Sequence, residues 1–142
     1  MATVSTDDSL LDVDRIHRWL AEDAYWALGR SRETVERSLR SSVNVGAYDR
    51  GPDGPVQVGF LRIVTDRATF AWVCDVYVDP SARGRRVGML LMAEADRLLG
   101  DYGVRRAMLA TADAHGLYER YGFTPLADPG RWMERGYTDR PE

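Results

Sequence analysis

The sequence predicts a mixed α/β fold, and three observations carry that expectation. Apolar residues recur at helical spacing through the first forty positions, switch to the two-residue alternation of strands near residue 43, and then alternate between both patterns. The chain has 142 residues and is expected to form one unit, 1–142, burying roughly two-thirds of its unfolded surface. With 44% apolar and 29% charged residues it has the composition of a folded, water-exposed protein.

Each element follows from its own stretch. A short N-terminal strand opens the order. Residues 10–22, LLDVDRIHRWLAE, set Val13, Ile16, Trp19 and Leu20 along one face of a helix. DAYWALGR brings two adjacent aromatics and a glycine, a structured bend. Ser31 then caps a second helix that turns Val35 and Leu39 inward. NVGAY, the turn cluster DRGPDGP, VQVGFLRIVT, the turn at Thr65–Ala68 and TFAWVCDVYVD read as a three-strand antiparallel meander. In its last strand Phe70, Trp72, Cys74, Val76 and Val78 are expected on one face, with Ala71, Val73, Asp75 and Tyr77 on the other. Both faces are largely apolar, so this strand should be covered on both sides. A helix follows to about Leu99, with Val87, Leu91, Ala95 and Leu98 on one stripe and Gly100 or Gly103 as its stop. VRRAMLAT reads as a short strand and DAHGLYERYGF as a short helix closed by Gly122. PLADPGRWMER is expected to add one or two edge strands.

Several function classes are set aside by composition. A net charge of −3 argues against binding nucleic acid by bulk phosphate attraction. The N-terminus lacks a basic stretch followed by an apolar core, and no apolar run reaches membrane-spanning length, so no membrane partner is expected and a cytoplasmic location is. Cys74, the single cysteine, allows neither a disulfide framework nor a cysteine zinc site; it reads as a small buried hydrophobe, and no metal is expected.

The chemistry concentrates in two stretches. VDPSARGRRVGMLL ends a strand at Val78, breaks pairing at Pro80 and opens a helix through Gly84 and Gly88. In that setting backbone N–H groups converge on an anion, and Arg83, Arg85 and Arg86 add charged donors. Taken alone it reads equally well as a solvated basic turn. No Gly-Lys-Ser/Thr follows, and the preceding meander is not a βαβ unit, so neither of the common nucleotide fingerprints applies. The second stretch, LYERYGF, places Tyr118 and Tyr121 on a short helix ending in Gly122 and Phe123.

Together the two stretches resemble the GNAT superfamily of acyl-CoA-dependent N-acyltransferases. Val78-Asp79-Pro80, then Arg83 and Gly88, then Leu117-Tyr118 and Gly122-Phe123 occupy that family's motif positions, and the likeness covers residues 10–135. YWALGRSRETVERSL and TADAHGLYERYGF are further similar to a subgroup of small stand-alone bacterial members. The chain departs from the pattern at Arg86, which stands where the family has a middle glycine.

The resemblance implies a mostly antiparallel sheet, splayed into a V-shaped cofactor slot and flanked by about four helices. It implies acetyl-CoA as cosubstrate and CoA as product, with direct acetyl transfer to an amine. The cofactor would meet Val76, Tyr77 and Val78 on the strand, Arg83, Gly84, Arg85, Arg86, Val87, Gly88 and Met89 at the helix start, and His115. Tyr118 matches the family's general acid, while Tyr121 reads as a core residue. Asp75 is a candidate base or amine ligand, and equally a partner for an arginine. Asp113 is expected as an N-cap, and His115 as a proton relay or a solvated side chain. Thr111 falls where the family often has a cofactor-binding asparagine, and His17 is expected on the surface. Tyr25, Trp26, Arg30 and Trp72 would wall the acceptor site, with Trp26 and Trp72 open to a core reading. A small amine or amino-acid-like acceptor is favoured over a protein, and a homodimer is compatible with the sequence. Two alternatives stay open: a CoA-binding module without catalysis, and a nucleotide-phosphate-binding domain of another fold.

Overall fold

The alternating segment folds as a meander whose turns and register are set by its glycines and bulges. In the computed structural model, which describes residues 1–138, the strands are β1 (Thr3–Ser5), β2 (Val43–Gly51), β3 (Gly54–Thr65), β4 (Phe70–Val78) and β5 (Arg106–Met108). They form one sheet in the order β1-β2-β3-β4-β5, antiparallel through β4 and parallel between β4 and β5. The helices are α1 (Val13–Glu22), α2 (Arg32–Arg40), α3 (Val87–Tyr102) and α4 (His115–Glu119). Asp12 and Ser31 start α1 and α2 by accepting the N–H of Arg15 and Thr34 at 3.0 and 3.1 Å. The last positions of the expected 1–142 unit, residues 139–142, lie outside the described residues.

The two sheet faces carry separate cores. On one, Val45, Ala47, Leu61, Ile63, Ala71 and Val73 pack with Leu91, Met92 and Ala95 of α3. On the other, Phe60 and Tyr77 pack with Ile16, Trp19 and Leu20 of α1 and with Val35 and Leu39 of α2. The simple alternation expected along β4 breaks at Asp75. Its φ of +53° makes a bulge, and the register against β3 shifts between Phe60/Tyr77 and Arg62/Cys74. Ala71 and Val73 therefore face α3 before the bulge, Val76 and Val78 pack on that side after it, and Tyr77 faces α1. Aspartate tolerates the left-handed region better than most residues, which suits it to this position.

The bulge sits where the sheet divides. β5 pairs with β4 only at Phe70/Arg106, Ala71/Ala107 and Trp72/Met108, so among the described residues the β4 edge from Val73 to Val78 has no strand beside it. That is the V-shaped opening expected from the sequence. Of the two glycines expected to stop α3, Gly103 does so. α3 runs through Gly100 to Tyr102 and is closed by Gly103 at φ +72°, whose N–H reaches the carbonyls of Leu99 and Gly100. The expected edge strands after α4 are absent among the described residues, where only a 3-10 turn at Pro129–Arg131 forms. Pro125, Pro129 and Gly130 explain this, since prolines cannot donate to a ladder and glycine weakens one.

One glycine fixes the approach of α3. A Cβ on Gly59 of β3 would lie 2.9 Å from Val87 Cγ1, 3.2 Å from Leu91 Cδ1 and 3.3 Å from the Ala47 Cβ. Gly59→Ala should therefore overpack this contact and cost about 1–3 kcal/mol, read as a lower urea midpoint at unchanged slope.

Candidate functional site

The β4 opening is flanked by the start of α3 on one side and by α4 and the α1–α2 connection on the other. At the α3 start, Asp79 accepts the Trp19 indole N–H at 3.0 Å and the Ser81 N–H at 3.1 Å, fixing the turn that leaves β4. Burial alone would raise this carboxyl, but the bonds from Ser81 and Trp19 and the nearby Arg15 hold it below its ordinary value. Gly84 and Arg86 both have positive φ, +81° and +62°, so the chain curls before the first helical turn. Arg86 is the N-cap and caps nothing with its side chain. The backbone N–H groups of Arg86, Val87, Gly88 and Met89 have no acceptor among the described residues. They form a donor-lined helix start open to an anion.

The three arginines of this loop differ. Arg83 donates Nε to the Val78 carbonyl at 3.1 Å, lies over the Tyr77 ring at 5.6 Å and reaches Asp23 at 3.5 Å. Arg85 pairs with Asp49 at 2.9 Å. Arg86 is exposed, and no described residue pairs with it. The residue that departs from the glycine pattern is thus the loop's one uncommitted guanidinium among the described residues, and it holds the left-handed conformation that a glycine adopts freely.

The remaining expected cofactor residues take several positions. Val76 and Val78 are half-buried on the α3 side. The Tyr77 side chain turns away from this opening: its buried ring stacks on Trp19 at 5.3 Å and its hydroxyl donates to Asp23 at 2.5 Å, leaving only its backbone on the β4 edge. Burial and the bond to Asp23 push its hydroxyl pKa up to about 12. The Val87 side chain is buried in the core, leaving only its backbone to the loop. Met89 accepts the Tyr121 hydroxyl on its carbonyl at 2.9 Å, which joins α4 to α3 and gives Tyr121 a structural role. His115 is exposed at the start of α4 with no hydrogen bond to a described residue. Asp113 is not the cap of that helix. Ala114 occupies the N-cap position, and Thr111 Oγ1 accepts the Ala114 N–H at 3.1 Å in its place.

On the far side, residues from four segments meet. Tyr118 on α4 is buried, and no described residue hydrogen-bonds its hydroxyl. Burial, with lesser effects of Tyr25 and Asp113, pushes its pKa up to about 12. Tyr25 is half-exposed, accepts the Ala112 N–H at 3.1 Å and stands edge-to-face on Trp26 at 5.0 Å. Trp26 in turn donates Nε1 to Asp75 Oδ1 at 2.9 Å. Asp75 Oδ2 receives Arg30 at 2.8 Å and Arg62 Nε at 2.9 Å. His17 is not a free surface residue. Its Nε2 donates to the Arg30 carbonyl at 3.1 Å and steadies the connection. Trp72 is half-buried, with Val64 opposite it on β3 at 42% exposure, so α1 and α2 leave this part of the sheet face uncovered.

This arrangement corrects Asp75 as a base. Its carboxylate is 4% exposed and both oxygens are filled by donors. Burial by itself would raise its pKa, yet Arg62 and Arg30, with the bonds from Arg62 and Trp26, hold it below the ordinary carboxylate value. A base must accept a proton near neutral pH, and this group is built to keep its charge. Arg62 and Asp23 are the site-adjacent residues that the sequence reading missed. A charge set among the apolar residues of VQVGFLRIVT was the available signal for Arg62.

A cavity of about 850 Å³ opens elsewhere, between α3, β5 and residues 121–132, where the sheet lacks further strands. It includes none of Tyr118, Arg86 or Trp26. Among the described residues no cluster of three or more His, Cys, Asp or Glu side chains could hold a metal, and no helix is long and apolar enough to cross a membrane.

Comparison with known proteins gives a consistent picture. Residues 42–125 match the family model of the acetyltransferase (GNAT) domain. A Gibberella zeae protein provisionally named an acetyltransferase is 34% identical over 131 residues, covering 81% of this chain and 74% of its own. A crystal structure from Xanthomonas campestris pv. campestris, provisionally described as a GNAT-family acetyltransferase, superposes with a TM-score of 0.89 at 44% identity, covering 96% of this chain and 93% of that one. A Mycobacterium tuberculosis structure solved in complex with CoA shares the fold, with a TM-score of 0.68 at 19% identity over 87% of this chain and 72% of that one.

Proposed function

Because this chain belongs to the GNAT family of acetyltransferases, we propose that it moves an acetyl group from acetyl-CoA to a small primary amine by direct attack. The observation that carries this reading is the pairing of a donor-lined α3 start with a protonated Tyr118 hydroxyl across one open strand edge. The residues fit the cosubstrate. The free N–H groups of Arg86 to Met89 and the exposed Arg86 guanidinium suit a diphosphate, and the bare β4 edge beyond Trp72 suits an amide-bearing arm. A fold neighbour solved with CoA supports the same assignment.

In the reaction the amine nitrogen bonds to the thioester carbon and the carbon–sulfur bond breaks. The sulfur leaves as a thiolate, which takes the Tyr118 proton; the amine releases its own proton to water, and the Tyr118 phenolate recovers one from water. A phenol held near 12 stays protonated at neutral pH, as a donor to the thiolate must be. Asp75 takes no part in proton transfer; it holds Trp26 and Arg30 in the wall of the acceptor site.

The test is thiol release from acetyl-CoA across a panel of primary amines. Turnover with acetylated product supports the reading. CoA binding without turnover on any amine would instead favour a non-catalytic binding module, and stabilisation by ATP but not CoA would favour a nucleotide-binding role.

Arg86 gives a second, separable prediction. A left-handed non-glycine residue costs about 1–2 kcal/mol, against about 0.5–1 kcal/mol for the added chain freedom of glycine. Arg86→Gly should therefore leave stability unchanged or raise it by up to about 1 kcal/mol. Loss of the loop's one cation unpaired among the described residues should raise the Kd for CoA about 10- to 100-fold, since a charge-assisted hydrogen bond is worth about 1.5–3 kcal/mol. Calorimetric titration of CoA together with a urea melt separates the two effects.

A further inference from the structure

The acceptor wall ends in a charge that the proposed reaction does not itself require. Arg62 lies on β3 opposite Cys74, at the boundary between the sheet face covered by α1 and α2 and the uncovered part bearing Trp72 and Val64. Its guanidinium is only partly used. Nε donates to Asp75 Oδ2 at 2.9 Å and one terminal nitrogen donates to Ser42 Oγ at 3.1 Å. The other terminal nitrogen has no hydrogen-bond partner among the described residues and keeps contact with solvent, although the side chain is only 14% exposed. Two of the guanidinium's nitrogens are thereby held in place while the third stays unpaired among the described residues.

A guanidinium fixed in this way is a preorganised receptor for a planar oxyanion. The side-chain entropy that an exposed arginine would lose on binding has already been spent in folding, and the partly buried setting strengthens a charged hydrogen bond. The same cluster connects to the proposed acid by contact: Arg62 to Asp75, Asp75 to Trp26, Trp26 to Tyr25, and Tyr25 to the loop that leads into α4 and Tyr118. We propose that the acceptor carries a carboxylate as well as its amine, and that the third nitrogen of Arg62 binds this carboxylate while the amine faces the thioester. The inference rests on the acetyltransferase reading and narrows its substrate class to amino acids and their close relatives. Trp72 and Tyr25 would border the acceptor's remaining side chain.

The experiment compares matched acceptors on the wild-type protein with saturating acetyl-CoA. The panel pairs α-amino acids with their carboxamides and with the corresponding decarboxylated amines, and reads thiol release and acetylated product. The expected result is at least one amino acid used with a kcat/KM about tenfold or more above both partners that lack the carboxylate. Arg62→Gln should then narrow the preference for that amino acid over its carboxamide and amine by about tenfold, its KM rising more than theirs, and Arg62→Lys should fall between. Equal use of acids, carboxamides and amines by the wild type would overturn the proposal and leave the acetyltransferase reading standing. So would an Arg62→Gln loss that is uniform across the panel in a variant that still folds. No thiol release with any amine would overturn both readings together. The wild-type series decides the matter even where Arg62→Gln unfolds the chain.

Discussion

Tyr118→Phe should lower kcat by about 10²- to 10⁴-fold with whichever amine the protein accepts, the range expected for loss of a positioned general acid. The substitution keeps the ring, its edge-to-face contact with Phe123 at 6.3 Å and the burial of α4. Because no described residue hydrogen-bonds the hydroxyl, its removal strands no partner, and stability should change by less than about 0.5 kcal/mol. Binding of CoA should be unchanged, so a Kd that moves with kcat would count against the assignment. The pH dependence follows from the raised pKa. A group near 12 supplies its proton throughout the neutral and mildly alkaline range, so the wild-type kcat should show no alkaline limb from this residue until that value is approached. A fall centred near pH 8 would identify another group as the acid.

Most of the fold was legible because the sequence carries its periods openly. Val13, Ile16, Trp19 and Leu20 marked α1, the alternation after residue 43 marked the meander, and Ser31 marked the start of α2. The bulge at Asp75 was not legible, because an alternating pattern cannot report one extra residue when both faces of the strand are apolar. That slip also moved the candidate site. Read without the bulge, Asp75 is an acid beside the cofactor slot; with it, the side chain enters a nest of arginines beneath the α1–α2 connection. The reason for Arg86 was equally hidden, since positive φ leaves no mark on composition. The absent edge strands erred the other way, with apolar residues read as pairing while the prolines among them prevented it.

Asp75→Asn is the substitution with the largest expected cost to the fold, about 3–5 kcal/mol, the amount typical of removing one partner from a buried ion pair. Asparagine has nearly the shape of aspartate and shares its tolerance of the left-handed region, so the φ of +53° at this position is not disturbed. What disappears is the charge facing Arg30 at 2.8 Å and Arg62 at 2.9 Å, side chains only 9% and 14% exposed. The amide nitrogen would also point a donor where two donors already converge. Adding Arg62→Met should recover part of the loss, because one stranded guanidinium goes with it, and the two changes should be clearly non-additive in a urea-denaturation cycle. The pH dependence supplies an independent check. The folded carboxyl lies below its unfolded value of 3.8, so the stability it contributes is complete above that pH and is lost as pH falls through the folded value. Wild type and Asp75→Asn should therefore differ fully at neutral pH and converge in acid below about pH 4. A difference that stayed constant into strong acid would mean that the variant fails through packing, and that the charge of Asp75 is not what holds the acceptor wall in place.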